Sequence, residues 1–270
     1  MKVFILFLFC VFTSVGSSIT YAQSTASKNV SHFNIEAPQL GTTKTIWIYL
    51  PNSYNSNQQT YPVIYMPDGQ NLFDDKTSYV GEWGIDEYLD SLSSNQAIIV
   101  GIEHGNDKRL DELTPYANSE YGGGNGDNYL NFVVNTLKPY IDQQYRTKTD
   151  AHYNAFWGSS LGGLMAFYAT VKYPNIFANA VVFSPSFWYS DKIYDFTQET
   201  TIPETSRFYF LIGTEESGSG VADQNKMVTL LKSKGVTDNN IVNNIIDGGQ
   251  HNEAFWKAHF ADAYNWLIIK

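Results

Sequence analysis

The sequence has very little cysteine: its 270 residues include only Cys10. That residue lies in a segment with one basic residue, Lys2, an apolar run over residues 3–12 and a small-residue exit at Ala22, the pattern of a cleaved secretory signal. The run is too short to span a bilayer, and no comparable run follows it. We predict a signal peptide over residues 1–22, a secreted or periplasmic protein with no membrane span, and a mature chain without disulfides.

Basic residues are also scarce. Lysine and arginine number 17 against 27 aspartates and glutamates, which gives a formal net charge of −10. Such a surface repels phosphate backbones, and no run of basic residues offsets the repulsion. We therefore do not expect nucleic acid as a partner.

Signals for metal and cofactor sites are missing as well. No histidine pair has ligand spacing on one helix, and removal of the signal would remove the cysteine. The glycine-rich stretch 121–126 is followed by Asp127, where a dinucleotide fingerprint requires its third glycine. We expect neither a metal nor a cofactor, and the sequence leaves the oligomeric state open.

The mature chain has no internal repeat and no low-complexity linker, and about 250 residues can bury one large core. Short runs of β-branched and aromatic residues alternate with longer amphipathic segments. This alternation predicts an α/β fold, with a mostly parallel central sheet and helices on both faces, in a single domain over residues 23–270. The predicted strands are Thr45–Leu50, Val63–Met66, Ala97–Ile102, Tyr153–Trp157, Ala180–Phe183, Arg207–Ile212 and Ile241–Ile246. The predicted helices are Gly84–Leu92, Asn128–Gln144, Leu161–Lys172, Ala222–Lys234 and Asn252–Ile268.

Ligands of such sheets bind at the carboxyl ends of strands, and one of these ends leads into the stretch WGSSLGGL at residues 157–164. Gly158 and Gly162 flank Ser160, so a strand and a helix can approach closely around it, as in a G-x-S-x-G nucleophile turn. The N–H of Leu161 would then point at an oxyanion formed on a substrate. The alternative is a plain junction with serine as the helix cap. Position and context favour Ser160 as a nucleophile.

A serine nucleophile needs a base, and the sequence has five histidines. Only His251 lies in a glycine-rich turn between a late strand and the last helix. A triad on this fold runs serine, acid, histidine along the chain, so a base in this late position is expected. His104 follows a strand and could line a pocket, but it precedes the serine. We predict His251 as the base.

The acid that orients the histidine must come from a loop between Ser160 and His251. The stretch FYFLIGTEESGSG offers Glu215 and Glu216 directly after an apolar strand, and Asp223 follows shortly after. The residues themselves leave this choice open.

Four stretches of the sequence resemble successive blocks of the Putative esterase family of α/β-hydrolases, which includes esterase D, enterochelin-type siderophore esterases and bacterial feruloyl esterases. They are YPVIYMPDGQNLFDD, IIVGIEHGNDKRLDELTPY, the long block from YRTKTDAHYNAFWGSSLGGL to SPSFWY, and GGQHNEAFW. The similarity runs from about Ile46 to the C-terminus. It implies the α/β-hydrolase fold, with Ser160 as nucleophile, His251 as base, and Glu216 as the acid that follows Gly213 by three residues.

The resemblance also implies the remaining parts of the site. The N–H of Gln70 would join that of Leu161 in the oxyanion hole, with Gly69 as a close alternative. Arg109 matches a family arginine near the pocket, although a surface ion pair with Asp111 or Glu112 is an equal alternative. Apart from the resemblance, Trp188 and Trp83 could form an aromatic wall that contacts substrate, although aromatic residues make up 16% of the chain and any single one packs in the core by default.

These residues predict a secreted serine carboxylester hydrolase that forms an acyl-enzyme. Its substrate would be a small-molecule or carbohydrate-linked ester, either an acyl or feruloyl ester or a siderophore-type ester. Two alternatives remain: an acyltransferase that uses the same triad, and a noncatalytic ligand-binding protein on the same fold.

Overall fold

A computed structural model describes residues 23–216 and 218–268, and the predicted signal peptide over residues 1–22 lies outside the described residues. Within the described residues, eight strands form one sheet in the order β1-β2-β4-β3-β5-β6-β7-β8. The strands are β1 (Val30–Ala37), β2 (Thr42–Tyr49), β3 (Val63–Pro67), β4 (Ile98–Ile102), β5 (Asn154–Ser159), β6 (Asn179–Phe183), β7 (Arg207–Gly213) and β8 (Ile241–Ile246).

The pairing of the strands confirms a mostly parallel sheet. All neighbours from β4 through β3 and β5 to β8 run parallel, and the antiparallel pairs are β1 with β2 and β2 with β4. The chain goes from β3 to β4 on one side and then returns to place β5 on the other side. The strand order therefore reverses between β3 and β5, and this is where open α/β sheets bind ligands.

Helices cover both faces of the sheet, as predicted. Alternate strand residues point to opposite faces: Tyr65 packs with Phe132 and Phe167 on one side, whereas Ile64 packs with Leu89 and Phe260 on the other. The helices are α1 (Ile85–Asp90), α2 (Arg109–Glu112), α3 (Gly126–Phe132), α4 (Lys138–Gln144), α5 (Leu161–Lys172), α6 (Lys192–Glu199), α7 (Gly220–Ser233) and α8 (Glu253–Ile268).

Strand β1 and helices α2 and α6 are not among the predicted elements. In β1 only Ala37 is fully buried, and the strand pairs with β2 alone at an edge of the sheet. An edge strand with solvent on several residues has no continuous apolar run, so its sequence gives a weak signal.

The predicted helix Asn128–Gln144 consists of α3 and α4 joined by a π-helical stretch, Val133–Leu137. Pro139 has no N–H to donate and disfavours a regular α-turn before it. The N–H of Lys138 reaches back to the carbonyl of Val133, five residues earlier, so the helix continues through the proline by a wider turn.

In the part of the chain that the structure describes, no helix is long and apolar enough to cross a membrane.

Candidate active site

Ser160 lies in the turn between β5 and α5, at the centre of the sheet. Its backbone has φ 57° and ψ −122°, an unfavourable conformation for a residue with a side chain. A Cβ on Gly158 would lie 2.4 Å from the backbone of Gly162, and a Cβ on Gly163 would lie 2.7 Å from the carbonyl oxygen of Phe183. The glycines therefore permit the close approach of strand and helix that the turn needs.

Two backbone hydrogen bonds hold Ser160 in this conformation. Its N–H donates to the carbonyl of Phe183 at 3.0 Å, and its own carbonyl accepts from the N–H of Ser186 at 3.1 Å. The Ser160 hydroxyl lies 3.4 Å from the hydroxyl of Ser186. Both partners belong to the end of β6 and the loop after it, so the neighbouring strand fixes the turn.

His251 and Glu216 are in direct contact. Nδ1 of His251 lies 2.7 Å from Oε2 of Glu216. The imidazole is 41% exposed, whereas the carboxylate is 5% exposed. With Nδ1–H donating to the carboxylate, the lone pair of Nε2 is directed away from Glu216 and can accept a proton.

Glu216 is held from its other side as well. Its Oε1 accepts hydrogen bonds from the Ser184 hydroxyl at 2.6 Å and from the N–H of Gly213 at 2.9 Å. Burial would raise the pKa of Glu216, but the hydrogen bonds from His251, Ser184 and Gly213 outweigh it and hold that pKa below its ordinary value. The carboxylate therefore stays ionised beside the imidazole.

The two other acids that the sequence left open lie elsewhere. Oε2 of Glu215 accepts a hydrogen bond from Gln250 at 3.1 Å, and Oδ2 of Asp223 accepts one from the Ser219 hydroxyl at 2.5 Å. Of these candidates, Glu216 is the one that the structure brings to His251.

Ser160 and His251 line one cleft of about 670 Å³. Among the hydrogen bonds of the described residues, none joins the Ser160 hydroxyl to His251 directly. Such contacts are often longer without substrate and shorten when substrate binds. The cleft also includes residues that the sequence did not single out, such as Asn71, Tyr79, Val80 and Trp256.

The loop after β3 also lines this cleft, through Asp68, Asn71 and Leu72. It packs directly on the turn, because a Cβ on Gly162 would lie 2.9 Å from Cγ of Pro67. Asp68 has φ 59°, and the short 3-10 helix Gly69–Asn71 follows it. The carboxyl end of β3 and the start of α5 therefore meet, which brings the loop of Gln70 to Leu161.

The predicted oxyanion donors lie beside the cleft. Among the loop and turn hydrogen bonds of the described residues, none uses the N–H of Leu161, Gln70 or Gly69. Leu161 and Gln70 adjoin Ser160 and Asn71, which line the cleft, but are not themselves among its lining residues. The choice between Gln70 and Gly69 stays open.

Arg109 lines the cleft, and its charge is paired. Its Nε and Nη2 donate to the two carboxylate oxygens of Asp68 at 2.7 and 2.8 Å. Neither alternative ion pair is present, since Glu112 pairs with the buried Lys44 at 2.5 Å, and no ion pair of the described residues joins Arg109 to Asp111. Burial would lower the pKa of Arg109, but the adjacent Asp68 raises it, so the guanidinium remains charged and bound to the loop after β3.

The two tryptophans of the predicted aromatic wall lie in different places. Trp83 is buried, stacks on Phe183 with ring centroids 5.9 Å apart, and lines the cleft. Trp188 is 53% exposed, makes an edge contact with Tyr121 at 5.9 Å, and is not among the cleft-lining residues. Trp188 therefore lies on the surface, outside the residues that line the cleft.

A second cleft of about 550 Å³ is lined by Pro62, Ala155 and Asn179. These residues begin the parallel strands, whereas ligands of such sheets bind where the strands end. We therefore assign the candidate active site to the cleft of Ser160 and His251.

The profile of the Putative esterase family matches residues 37–267. The chain belongs to this family. The resemblance of the sequence blocks is thus confirmed, and the protein is an esterase by membership. The match covers every residue of the candidate active site.

Curated relatives of this esterase include an uncharacterized protein YbbA of Bacillus subtilis. It is 29% identical over 240 residues, which cover 83% of this chain and 92% of the relative. An endo-1,4-beta-xylanase/feruloyl esterase of Xylanibacter ruminicola is 24% identical over 85% of this chain. The match covers 31% of that larger relative.

Solved structures confirm the α/β-hydrolase fold of this esterase. The BES protein of Bacillus cereus aligns with a TM-score of 0.74 at 20% identity, covering 93% of this chain and 99% of that one. The enterobactin esterase FES of Shigella flexneri, solved with enterobactin, aligns with a TM-score of 0.70 at 17% identity, covering 90% of this chain and 59% of that one. At these identities the likeness establishes the fold alone.

Proposed function

We propose that this esterase is a serine carboxylester hydrolase in which Ser160 is the nucleophile, His251 the general base and Glu216 the orienting acid. The contact of 2.7 Å between His251 and Glu216, in the same cleft as the strained Ser160, carries the proposal. These are the groups and the order along the chain that acyl transfer requires.

The reaction proceeds in two steps. Nε2 of His251 takes the hydroxyl proton as Oγ of Ser160 attacks the ester carbonyl carbon, and it then passes this proton to the leaving alkoxide. The C–O bond of the ester breaks, and the acyl group stays on Ser160. Water attacks the acyl-enzyme and gives a proton to His251. That proton returns to Ser160 as the carboxylic acid leaves.

The backbone N–H groups of Leu161 and Gln70 stabilise the oxyanion in this proposal. Support comes from the packing of Pro67 on Gly162, which brings their two segments together, and from the lack of a competing loop hydrogen bond among those of the described residues. Donors of this kind are each worth about 10²–10³ in rate. Gly69 remains the alternative to Gln70.

The substrate class that we propose is an acyl or feruloyl ester linked to carbohydrate. The cleft has an aromatic wall that includes Tyr79, Trp83 and Trp256, which suits a planar or apolar acyl group. The relative with xylanase and feruloyl esterase in its name is consistent with this class. The exposed Trp188 would contact the alcohol part of the ester outside the cleft.

Siderophore-type esters are a weaker candidate. Their anionic metal complexes would need unpaired cationic groups, and Arg109, the cation of the cleft, is held by Asp68. In this proposal Arg109 therefore acts through the loop of Asp68 and Gln70 rather than by capturing an anionic substrate.

The first test measures p-nitrophenyl acetate hydrolysis by the wild type and Ser160→Ala, with the exposed Ser233→Ala as matched control. We expect Ser160→Ala to lose activity by several orders of magnitude and Ser233→Ala to match the wild type. Equal rates for Ser160→Ala and the wild type would refute the proposal.

A fluorophosphonate probe and product analysis separate the alternatives. The probe should label the wild type at Ser160, whereas a noncatalytic binding protein would not be labelled. Mass spectrometry with a feruloyl oligosaccharide should give free ferulate in water. A dominant transfer product on an added sugar acceptor would instead identify an acyltransferase.

A further inference from the structure

Three acidic side chains cluster at the start of α1, apart from the proposed catalytic groups. They are Glu82, Asp86 and Glu87, and one carboxylate oxygen from each lies within 4.8 Å of the others. Glu82 and Asp86 are 7% and 0% exposed, whereas Glu87 is exposed. The cluster therefore has a buried floor and an opening to solvent.

Two oxygens of this cluster are buried without a partner. Oδ2 of Asp86 accepts from the N–H of Ser27 at 2.7 Å, but Oδ1 of Asp86 and Oε2 of Glu82 have no hydrogen-bond donor among the described residues. A buried carboxylate oxygen without a partner is costly, because it has lost its water and gained no donor. The structure thus has two acceptor atoms that still need a positive charge or a proton.

The surrounding protein supplies only a partial counter-charge, from Lys257, which acts on Glu82 without forming an ion pair. The positive end of the helix dipole stabilises acidic side chains in the first turn, which accounts for Asp86 and Glu87 at the start of α1. Glu82 precedes the helix, so the dipole does not account for it. Nζ of Lys257 approaches from α8, 2.7 Å from where a Cβ of Gly84 would lie. Among the ion pairs of the described residues, none joins Lys257 to the three acids.

We propose that Glu82, Asp86 and Glu87 form a binding site for Ca²⁺. Calcium is bound by oxygen ligands at about 2.3–2.6 Å, so oxygens that lie within 4.8 Å of one another can share one ion. Mg²⁺ demands near-ideal octahedral geometry and usually keeps several waters, so a partly buried cluster of three carboxylates suits Ca²⁺ better. Water on the open side beside Glu87 completes the coordination. No sequence signal pointed to this site, because the spacing of histidines and cysteines does not report on a cluster of carboxylates.

The site would stabilise one wall of the cleft. Glu82 adjoins Trp83, whose ring lies 5.9 Å from Phe183 and 5.8 Å from Trp256. Trp256 in turn contacts the ring of His251 at 5.1 Å. A cation at the cluster therefore fixes the segment that carries this aromatic stack.

Trp83 also provides the assay, because an indole next to the site can transfer excitation to bound Tb³⁺, a probe for calcium sites. The mature protein is stripped with EDTA and titrated with TbCl₃ under excitation at tryptophan wavelengths. We expect saturable Tb³⁺ luminescence that CaCl₂ displaces and MgCl₂ displaces poorly. CaCl₂ should also raise the Tm by several degrees.

The variants Glu82→Gln and Asp86→Asn keep the shape and remove one charge each, and we expect each to weaken Ca²⁺ binding about tenfold or more. Glu199→Gln on the exposed face of α6 is the matched control and should bind like the wild type. Should a buried variant fail to fold, the exposed Glu87→Gln still tests the site by a several-fold loss.

Two results would overturn the site. One is an unchanged Tm in CaCl₂ with no displaceable Tb³⁺ signal, which would mean that Asp86 is neutralised by a proton. The other is equal Ca²⁺ affinity in Glu82→Gln, Glu87→Gln and the wild type. All readouts work equally on Ser160→Ala protein, so they are independent of the proposed hydrolysis.

Discussion

Glu216 lies between a solvent-facing imidazole and two donors fixed by the sheet. The Ser184 hydroxyl donates to it and itself accepts from the indole N–H of Trp256 at 2.9 Å. This chain of contacts leaves the carboxylate little freedom to rotate, so it holds the ring of His251 in one orientation and selects one tautomer.

Replacing Glu216 with glutamine should lower kcat/KM by about 10³–10⁴-fold, because a neutral amide neither stabilises the imidazolium nor selects the tautomer. The matched control is Glu215→Gln, whose carboxylate is exposed and contacts Gln250. Steady-state kinetics on p-nitrophenyl acetate compare the two. A large loss in Glu215→Gln with an active Glu216→Gln would reverse the assignment of the acid.

The depressed pKa of Glu216 also makes a prediction for stability. A carboxylate whose pKa is lower in the folded than in the unfolded state stabilises the protein above the unfolded value, about 4.3, and loses that contribution as pH falls through the folded pKa. The free energy of unfolding should therefore differ between wild type and Glu216→Gln most at pH 5 and least near pH 3. Urea denaturation across this range measures it, and a difference that grows toward acid would contradict the assigned shift.

At this scale the sequence supplied the residues of the candidate triad but not their surroundings. Ser160 and His251 stand in glycine-rich turns of recognisable context, so local patterns suffice for them. The choice among Glu215, Glu216 and Asp223 depends on which side chain faces His251, and only the tertiary structure determines that. The bond between Arg109 and Asp68 joins loops 41 residues apart and has no local signal.

The loop that carries His251 is positioned by one close backbone contact between secondary-structure elements. A Cβ on Gly213, at the end of β7, would lie 2.1 Å from the backbone of Gly249. In the same place, the N–H of Glu215 donates to the carbonyl of Gly249 at 3.0 Å. The glycines thus fix the distance between the loop of Glu216 and the loop of His251.

Gly213→Ala should force these loops apart and lower both activity and stability. Overpacking at backbone contacts costs about 1–3 kcal/mol, which predicts a Tm lower by several degrees together with a reduced kcat. Gly220→Ala is the control, since its Cβ would meet only the flexible end of Ile212 at 2.9 Å. Calorimetry and kinetics measure both effects, and a fully active Gly213→Ala would show that the contact is not needed.

Elements with both faces buried were predictable, and those on the surface were less so. Strands β4 and β7 are apolar along almost their whole length, so their sequences predict them within about one residue. Strand β1 is mostly exposed, and helix α6 has only 8 residues. The π-helical stretch before Pro139 depends on how the chain accommodates one proline, which hydrophobic periodicity does not reveal.

At the scale of the whole molecule, the segment after residue 22 is attached to the domain. The Ser24 hydroxyl and the Thr25 N–H donate to Asp74, and the Ser27 N–H donates to Asp86. Burial would raise the pKa of Asp74, but the donors of Ser24, Lys76 and Thr25 lower it, so Asp74 remains charged. We propose that the domain begins at Gln23, directly after the predicted signal.

If residues 1–22 are a signal peptide, expression of the full chain should yield an exported protein that begins at Gln23. Intact mass and N-terminal sequencing of the periplasm and medium measure this. Leu6→Arg, in the apolar run, should block export and leave residues 1–22 attached. An exported protein that retains the leader would disprove the predicted signal peptide.

The architecture followed from the sequence because strands and helices alternate in a chain long enough for one core. The order of strands did not, since nothing local in β3 or β5 states that they are neighbours. That order places Ser160 beside the loop of Gln70, and it had to come from the structure or from resemblance.

The attachment of Ser24, Thr25 and Ser27 has a practical consequence for anyone who handles the protein. A tag, an anchor or a resin attached at the amino-terminal end would pull on residues that are hydrogen-bonded to Asp74 and Asp86. These two acids lie a few positions along the chain from Tyr79 and Trp83, which line the cleft. Immobilisation through engineered surface groups on α7, on the far side of the sheet from α1, avoids that strain.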